Sequence, residues 1–301
     1  MEEERLIEYI KRTIKIKSTD VVIGPGDDTA VLKYNSKYYL LLTTDTIVEN
    51  VHFKRSHASL AQIGRKAMAV NLSDISAMGG LPLYALVSIG LPEGFQKTIS
   101  FLLKGMEQMA KTYRFDIVGG NLSRSSILFI DVSMAGIVEK KNVKLRNGAG
   151  TGDGIYVTGS LGGSLAGKHL QIKPRIKESR HLIKTIPITS MMDISDGLSS
   201  DLIRLARASR KGFHLYLDLL PISKDTVKMS TNKQQSIYHA LNDGEDYELL
   251  FTVPAIFKDK VPRSICQVSV TYIGKIIEEE RYEGFYGRKK LRIKPSGFSH
   301  F

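Results

Sequence analysis

Four segments of this chain set aspartates among glycine and apolar side chains instead of on charged surfaces, so its fold must take those carboxylates out of water. Asp27 and Asp28 lie between Gly26 and an apolar run, and Asp45 follows Tyr38-Tyr39-Leu40-Leu41-Leu42-Thr43-Thr44. Asp74 sits in Asn71-Leu72-Ser73-Asp74-Ile75-Ser76, and Asp193 and Asp196 in Met191-Met192-Asp193-Ile194-Ser195-Asp196-Gly197. A buried carboxylate is costly unless a cation or several donors compensate it. Lysine and arginine are sparse inside these segments, so the compensators they point to are hard divalent ions. Magnesium fits best, because it takes oxygen ligands from one or two carboxylates together with substrate phosphates. The plainer alternative is that Asp28, Asp74 and Asp196 cap helices or fix turns. That would suffice for one aspartate alone; the segments together favour metal.

Hydrophobic periodicity places these residues on elements. Helices are predicted over 2–16, 60–78 and 99–113, with Leu60, Ile63, Ala67 and Val70 on one stripe of the second and Asn71 and Asp74 one turn apart on it. Strands are predicted at 30–32, 38–42, 85–91 and 128–134, and a short one at 117–121 ending in a glycine turn. A charged run at 140–144 and the alternating glycines 148, 150, 152 and 154 mark a boundary, giving domains 1–142 and 143–301. The second half reads as strands at 155–158, near 215, at 249–253 and at 268–273, helices at 161–170 and 198–209, and a basic C-terminal hairpin. Mixed elements in both halves predict two α/β (α+β) domains, the first a mixed sheet with helices.

Composition limits the rest. With 42% hydrophobic and 25% charged residues, the 301-residue chain has the side chains for real cores. A net charge of +12 favours polyanionic partners without choosing among them. The acidic start Met1-Glu2-Glu3-Glu4 is no signal peptide, and no apolar run approaches the ~20 residues of a membrane span, so a cytoplasmic protein is expected. The single cysteine, Cys266, is expected as a buried strand thiol and excludes a paired-thiolate zinc site. Gly162-Gly163-Ser164-Leu165-Ala166-Gly167-Lys168 matches a phosphate-binding loop, but His169 stands where a magnesium-binding hydroxyl is needed. It therefore reads as a helix start. Arg281 to Lys290 interleaves basic and aromatic residues as a single-strand nucleic-acid binder might, although a hairpin with a charged turn accounts for it better.

Taken in order, the motifs resemble one family. Gly26-Asp27-Asp28-Thr29-Ala30, Thr43-Thr44-Asp45-Thr46 with Val51-His52-Phe53, Asn71 to Gly79, Gly119-Gly120-Asn121, Arg146 ahead of Gly152-Asp153, Met192 to Leu198, Gly244 to Leu249 and the closing Gly297-Phe298-Ser299-His300-Phe301 are similar to those of thiamine-monophosphate kinases. That family shares its two-domain architecture with aminoimidazole ribonucleotide synthetase, the nearest enzymatic alternative. The resemblance implies transfer of the γ-phosphoryl group of ATP to thiamine monophosphate, several magnesium ions, and a homodimer whose N-terminal sheets pack together, with no nucleic acid or membrane partner. It implies metal ligation by Asp28, Thr43, Thr44, Asp45, Asp74, Asn121, Asp193 and Asp196. It implies ATP contacts from Gly120, Asn121, Arg146 and Ser195, and thiamine contacts from His52, Glu245 and Phe298. Asn121 stands where many relatives carry a metal-binding Asp, and Asp243 where a second glycine is common. The acceptor is a phosphate already ionised near neutrality, its second pKa being about 6, so no general base is assigned.

Overall fold

The computed structural model describes residues 2–298; Ser299, His300 and Phe301 of the closing motif lie outside the described residues. The first half comprises α1 (Glu2–Thr13), β1 (Val21–Ile23), β2 (Ala30–Lys33), β3 (Tyr38–Val48), α2 (Leu60–Ala77), β4 (Leu81–Leu91), α3 (Ile99–Tyr113), β5 (Asp116–Arg124) and β6 (Phe129–Glu139). Its strands form one sheet in the order β1-β2-β3-β6-β4-β5, antiparallel except for the parallel pair β4–β5. The second half comprises β7 (Gly154–Thr158), α4 (Ile176–Thr185), β8 (Ser190–Asp193), α5 (Leu198–Ala208), β9 (Gly212–Tyr216), α6 (Lys224–Met229), α7 (Lys233–Asn242), β10 (Leu249–Val253), β11 (Ser264–Ile265), β12 (Val268–Ile277), β13 (Tyr282–Tyr286) and β14 (Lys289–Arg292). These build a second mixed sheet, β14-β13-β9-β12-β7-β10-β8, with β11 paired to β12. The link between the sheets, residues 140–153, contains the predicted boundary.

Helix α2 positions the site. Ser59 and Gln62 close a reciprocal capping box at its start, fixing where the helix begins. It is buried almost all round, which its small residues permit: one side lies on β3 and β6, another on α3, and its C-terminal half meets α4 and β8 of the second domain. Across that junction Ser179 donates to the Ser76 carbonyl at 2.6 Å, and Arg180 pairs with Glu139, whose carboxyl it holds down at about 2. Ile172 and Ile176 add their side chains to the first domain's core.

Three predictions are corrected here. Residues 161–170 form two short 3-10 turns, Ser164–Ala166 and Lys168–Leu170, because Gly162, Gly163 and Gly167 take left-handed backbone that interrupts any helix. Strand β5 runs on through Gly119 and Gly120 to Arg124, since a glycine there lets its backbone lie against Val87 of β4, where a Cβ would come within 1.8 Å of a carbonyl oxygen. Cys266 is exposed in the left-handed turn between β11 and β12. Among the described residues no helix is long and apolar enough to cross a membrane.

Helices α2 and α3 touch backbone to backbone: a Cβ on Gly64 would lie 2.2 Å from the Leu102 carbonyl oxygen, and one on Gly105 2.0 Å from that of Ala61. Gly105→Val therefore forces the helices apart and is expected to cost at least ~1–3 kcal/mol of stability, read as a lower urea midpoint. An unchanged midpoint would contradict this packing.

Candidate functional site

Strand β3 sorts its residues by alternation. Thr43 and Asp45 face α2, whereas Thr44 and Thr46 face the opposite, exposed side of the sheet. On the inner side, the Thr43 hydroxyl donates to Asp74 at 2.5 Å, and burial, helped by the neighbouring Asp45 carboxyl, pushes Asp74 towards its protonated form. Asp193, at the end of β8, accepts from Ser73 at 2.5 Å. Asp28 arrives from the 24–29 loop. Asp28, Asp74 and Asp193 each offer an oxygen, and these three oxygens lie within 4.8 Å of one another.

The cluster is short of positive charge. Arg146 donates to Asp28 Oδ1 through Nε at 3.0 Å and Nη2 at 2.5 Å, and its backbone N–H binds both oxygens of Asp27 at 3.2 and 3.1 Å. Arg204 pairs with Asp196 and, at 2.7 Å, with Asp201, whose other oxygen accepts the N–H groups of Asp196 and Gly197. Two arginines thus face the carboxyls of Asp27, Asp28, Asp45, Asp74, Asp193, Asp196 and Asp201. Burial pushes Asp45 up to about 6 and Asp27 and Asp201 up to about 7. Burial, with neighbouring carboxylates adding to it, pushes Asp74 and Asp193 well above the usual range. Asp28 Oδ2 is buried with no hydrogen-bond partner. An all-oxygen donor set, an orphaned carboxylate oxygen and excess negative charge together fit a hard divalent cation.

Asp45, His52, Asp74, Ser195, Asp196, Glu245 and Phe298 line one cavity of about 260 Å³ at the domain junction, with Val51, Leu165 and Tyr247 among its apolar walls. The Val48 N–H donates to His52 Nδ1 at 3.0 Å, so a neutral imidazole carries its proton on Nε2. Phe298 is brought in by its N–H bond to the Asp196 carbonyl, 2.9 Å, and its ring centroid lies 6.1 Å from that of His52. Glu245 is held on left-handed backbone, φ 54°, in a loop anchored to Ser195 and Ile194.

Other predicted residues are placed elsewhere. Arg146 lines a separate cleft of about 630 Å³ with Lys11, Asp27, Arg204 and Arg207. Thr44 does not join the cluster: alternation turns it outward, within hydrogen-bond reach of Asp131 and Ser133. Gly120 and Asn121 sit on the exposed edge strand β5, three strand spacings or about 14 Å from β3, and Asn121 donates to Ser123 at 3.2 Å. Within one chain neither reaches the carboxylates. The 162–163 turn does cradle anions, but they are the chain's own: Gly162 N–H binds Asp246 at 3.0 and 3.1 Å, and Gly163 N–H binds Asp243 at 2.7 Å. That gives the unusual Asp243 its role.

Sequence reasoning missed Lys66, His169, Asp201 and Arg204. Lys66 had a visible signal, since it lies three residues after Ile63 and four before Val70, on the apolar stripe.

Two mixed α/β domains joined over a buried carboxylate cluster define a class. The models described as AIR synthase related protein, N-terminal domain and C-terminal domain, match residues 26–138 and 148–287. The thiamine-monophosphate kinase of Rhodopirellula baltica is 36% identical, the match covering 99% of this chain and 97% of that protein. That of Aquifex aeolicus is 37% identical, covering 98% and 97%. A solved structure described as "AaThiL complexed with AMPPCP and TMP" superposes with a TM-score of 0.85 at 35% identity, covering 99% of this chain and 97% of that one. The chain belongs to the thiamine-monophosphate kinase family.

The raised carboxyls make the metal-free fold pH-sensitive. Their folded pKa values, about 6 to 7 for Asp45, Asp27 and Asp201, exceed the ~3.9 of an unfolded Asp. Their stabilisation is thus full below about pH 4 and is lost as pH rises through 6 to 7. A divalent cation binds the ionised form, so magnesium chloride should raise Tm more at pH 8 than at pH 5.5. Equal shifts at both pH values would refute metal binding by this cluster.

Proposed function

We propose that this chain transfers the γ-phosphoryl group of ATP to thiamine monophosphate, giving thiamine diphosphate. The observation that carries the reading is the buried cluster of Asp28, Asp74 and Asp193, of which Asp74 lines a cavity walled by His52, Glu245 and Phe298. Its likeness over nearly the whole chain to a protein solved with AMPPCP and TMP supports the same choice. ATP and a phosphate monoester together bring about five to six negative charges, so positioning and charge compensation dominate the chemistry. Asp28, Asp45, Asp74 and Asp193 would hold magnesium, which when bound neutralises phosphate charge and aligns the reacting oxygens for in-line transfer.

The remaining residues divide the labour by charge. Arg146 and Arg204, with Lys11 and Arg207 in the larger cleft, form the basic side that suits the nucleotide's phosphates. Glu245 places a carboxylate on the other side, where thiamine presents a cationic thiazolium and an aminopyrimidine. Phe298 offers a ring face to either heterocycle. No proton acceptor is needed, and His52 is not built as one: its Nδ1 is committed to Val48.

A homodimer is part of this reading. The outer face of the first sheet exposes Leu42, Tyr84 and Leu86, an apolar surface that a second copy could cover. Gly120 and Asn121, at the edge of that sheet, would then serve the site of the facing copy.

The test is ATP consumption with magnesium, requiring thiamine monophosphate and yielding thiamine diphosphate in equal amount. Turnover with aminoimidazole-ribonucleotide precursors instead would move the chain to the alternative activity. Asp74→Asn keeps shape and removes one charge from a crowded cluster. It is expected to leave the metal-free Tm unchanged or raised while lowering kcat at least about 100-fold, the scale of losing one transition-state stabilising group. Full activity in that variant would remove Asp74 from the metal site.

A further inference from the structure

Lys66 is among the largest fully buried side chains of the described residues, at 1% exposure, and it belongs to no motif of the reaction. Its ammonium has three N–H donors and three acceptors around it. The His52 carbonyl lies at 2.7 Å, His169 Nδ1 at 3.0 Å, and Glu245 Oε1 in direct contact. The match is complete, so the charge is bound inward and is not available to a phosphate. His169 also faces the second Glu245 oxygen, at 3.4 Å. Burial, then the Lys66 charge, lowers His169 to about 4, leaving a neutral ring that accepts from the lysine.

The three acceptors come from three separate stretches. His52 lies on the loop after β3 of the first domain, His169 on the 3-10 turns, and Glu245 on the strained loop before β10. His52 and Glu245 are two of the residues that wall the cavity on the acceptor's side, and His169 lines the adjoining cleft with His52. Pinning all three to one rigid helix of the first domain fixes the cavity's width across the domain junction. A salt bridge buried at that depth adds little net stability, because both ions lose water, so its retention asks for a use other than holding the fold.

We propose that Lys66 is a positioning residue for the acceptor subsite, holding the Glu245 carboxylate and the His52 loop in register across the two domains so that thiamine monophosphate, and not the nucleotide, depends on it. The proposal rests on the assignment of Glu245 to the acceptor side made above. Removing Lys66 alone strands a buried carboxylate and endangers the fold. The decisive comparison is therefore Glu245→Gln, in which the buried lysine keeps the amide oxygen as an acceptor and can shed its proton, against the double variant Lys66→Met/Glu245→Gln, which buries no unpaired charge. Each is followed by thermal unfolding, and by KM for thiamine monophosphate and for MgATP separately.

Glu245→Gln is expected to raise the acceptor KM about tenfold, the worth of one charged hydrogen bond. The double variant should fold and raise that KM several-fold further, because the His52 carbonyl is released as well, with kcat and the KM for MgATP unchanged within about threefold. Equal acceptor KM values in the two variants would reduce Lys66 to a counter-ion and overturn the proposal. So would a parallel rise in the MgATP KM, or loss of the fold in the double variant alone, either of which a purely structural lysine predicts. An acceptor KM unchanged by Glu245→Gln, with a rise confined to the double variant, would instead sink the assignment of Glu245 and leave the lysine's hold on the His52 loop standing.

Discussion

Carboxylates that have lost their water dominate this molecule. Asp28 and Asp193 are 8% and 2% exposed, and neither has a cation of its own beyond what Arg146 lends. In an interior of low polarizability such a group either takes up a proton or finds a counter-ion, and burial biases Asp45, Asp74 and Asp193 of the metal-free fold towards the first course. A site held in this state gives up its protons when a divalent cation binds, since the cation ligates the ionised form. The two domains meet around it: α2 carries Asp74, β8 carries Asp193, and the loop before β2 carries Asp28, so the affinity of the site and the docking of the domains are one problem.

Much of that was legible from residue order. Aspartates in glycine and apolar company marked the cluster because such company has no other use for a carboxylate, and the helical register of Asn71 and Asp74 followed from spacing alone. What failed was facing. Thr43, Thr44 and Asp45 read as one motif, but a strand sends neighbours to opposite faces, so Thr44 belongs to the exposed side with Thr46. The glycine motif before Asn121 shows a related limit: it reads as a turn ending a short strand, whereas the backbone continues as an edge strand about 14 Å from β3. Lys66 was overlooked although its position on the apolar stripe was in view, because the search for buried charge looked only for acids.

The loop at 162–163 shows how a motif can keep its physics and change its ligand. Left-handed glycines aim successive N–H groups into one concavity, which is what recommends such a sequence for phosphate. Here Asp246 and Asp243 already fill it, and Lys168, the lysine of the pattern, donates to the Ser160 carbonyl at 2.7 Å and lies 3.4 Å from Asp246. The nest therefore fastens the 243–247 loop to the second domain. That loop's left-handed residues Gly244, Glu245 and Tyr247 need such fastening, since the last two are side-chain-bearing residues in a region that disfavours them.

Charge is laid out across the site in three zones, and the order matters. A basic cleft lies on the Arg146 and Arg204 side, the carboxylate cluster lies in the middle, and Glu245 and Phe298 stand at the far wall. A polyphosphate entering the middle without metal would find carboxyls and no cation to pair with, whereas one that arrives with a divalent ion, or finds one bound, would bring the charge the cluster lacks. The far wall sets a second condition, because a carboxylate there disfavours another phosphate and favours a cationic ring. Discrimination between a nucleotide and a thiamine phosphate can therefore arise from the sequence of signs along the site, with shape refining a choice that electrostatics has already biased.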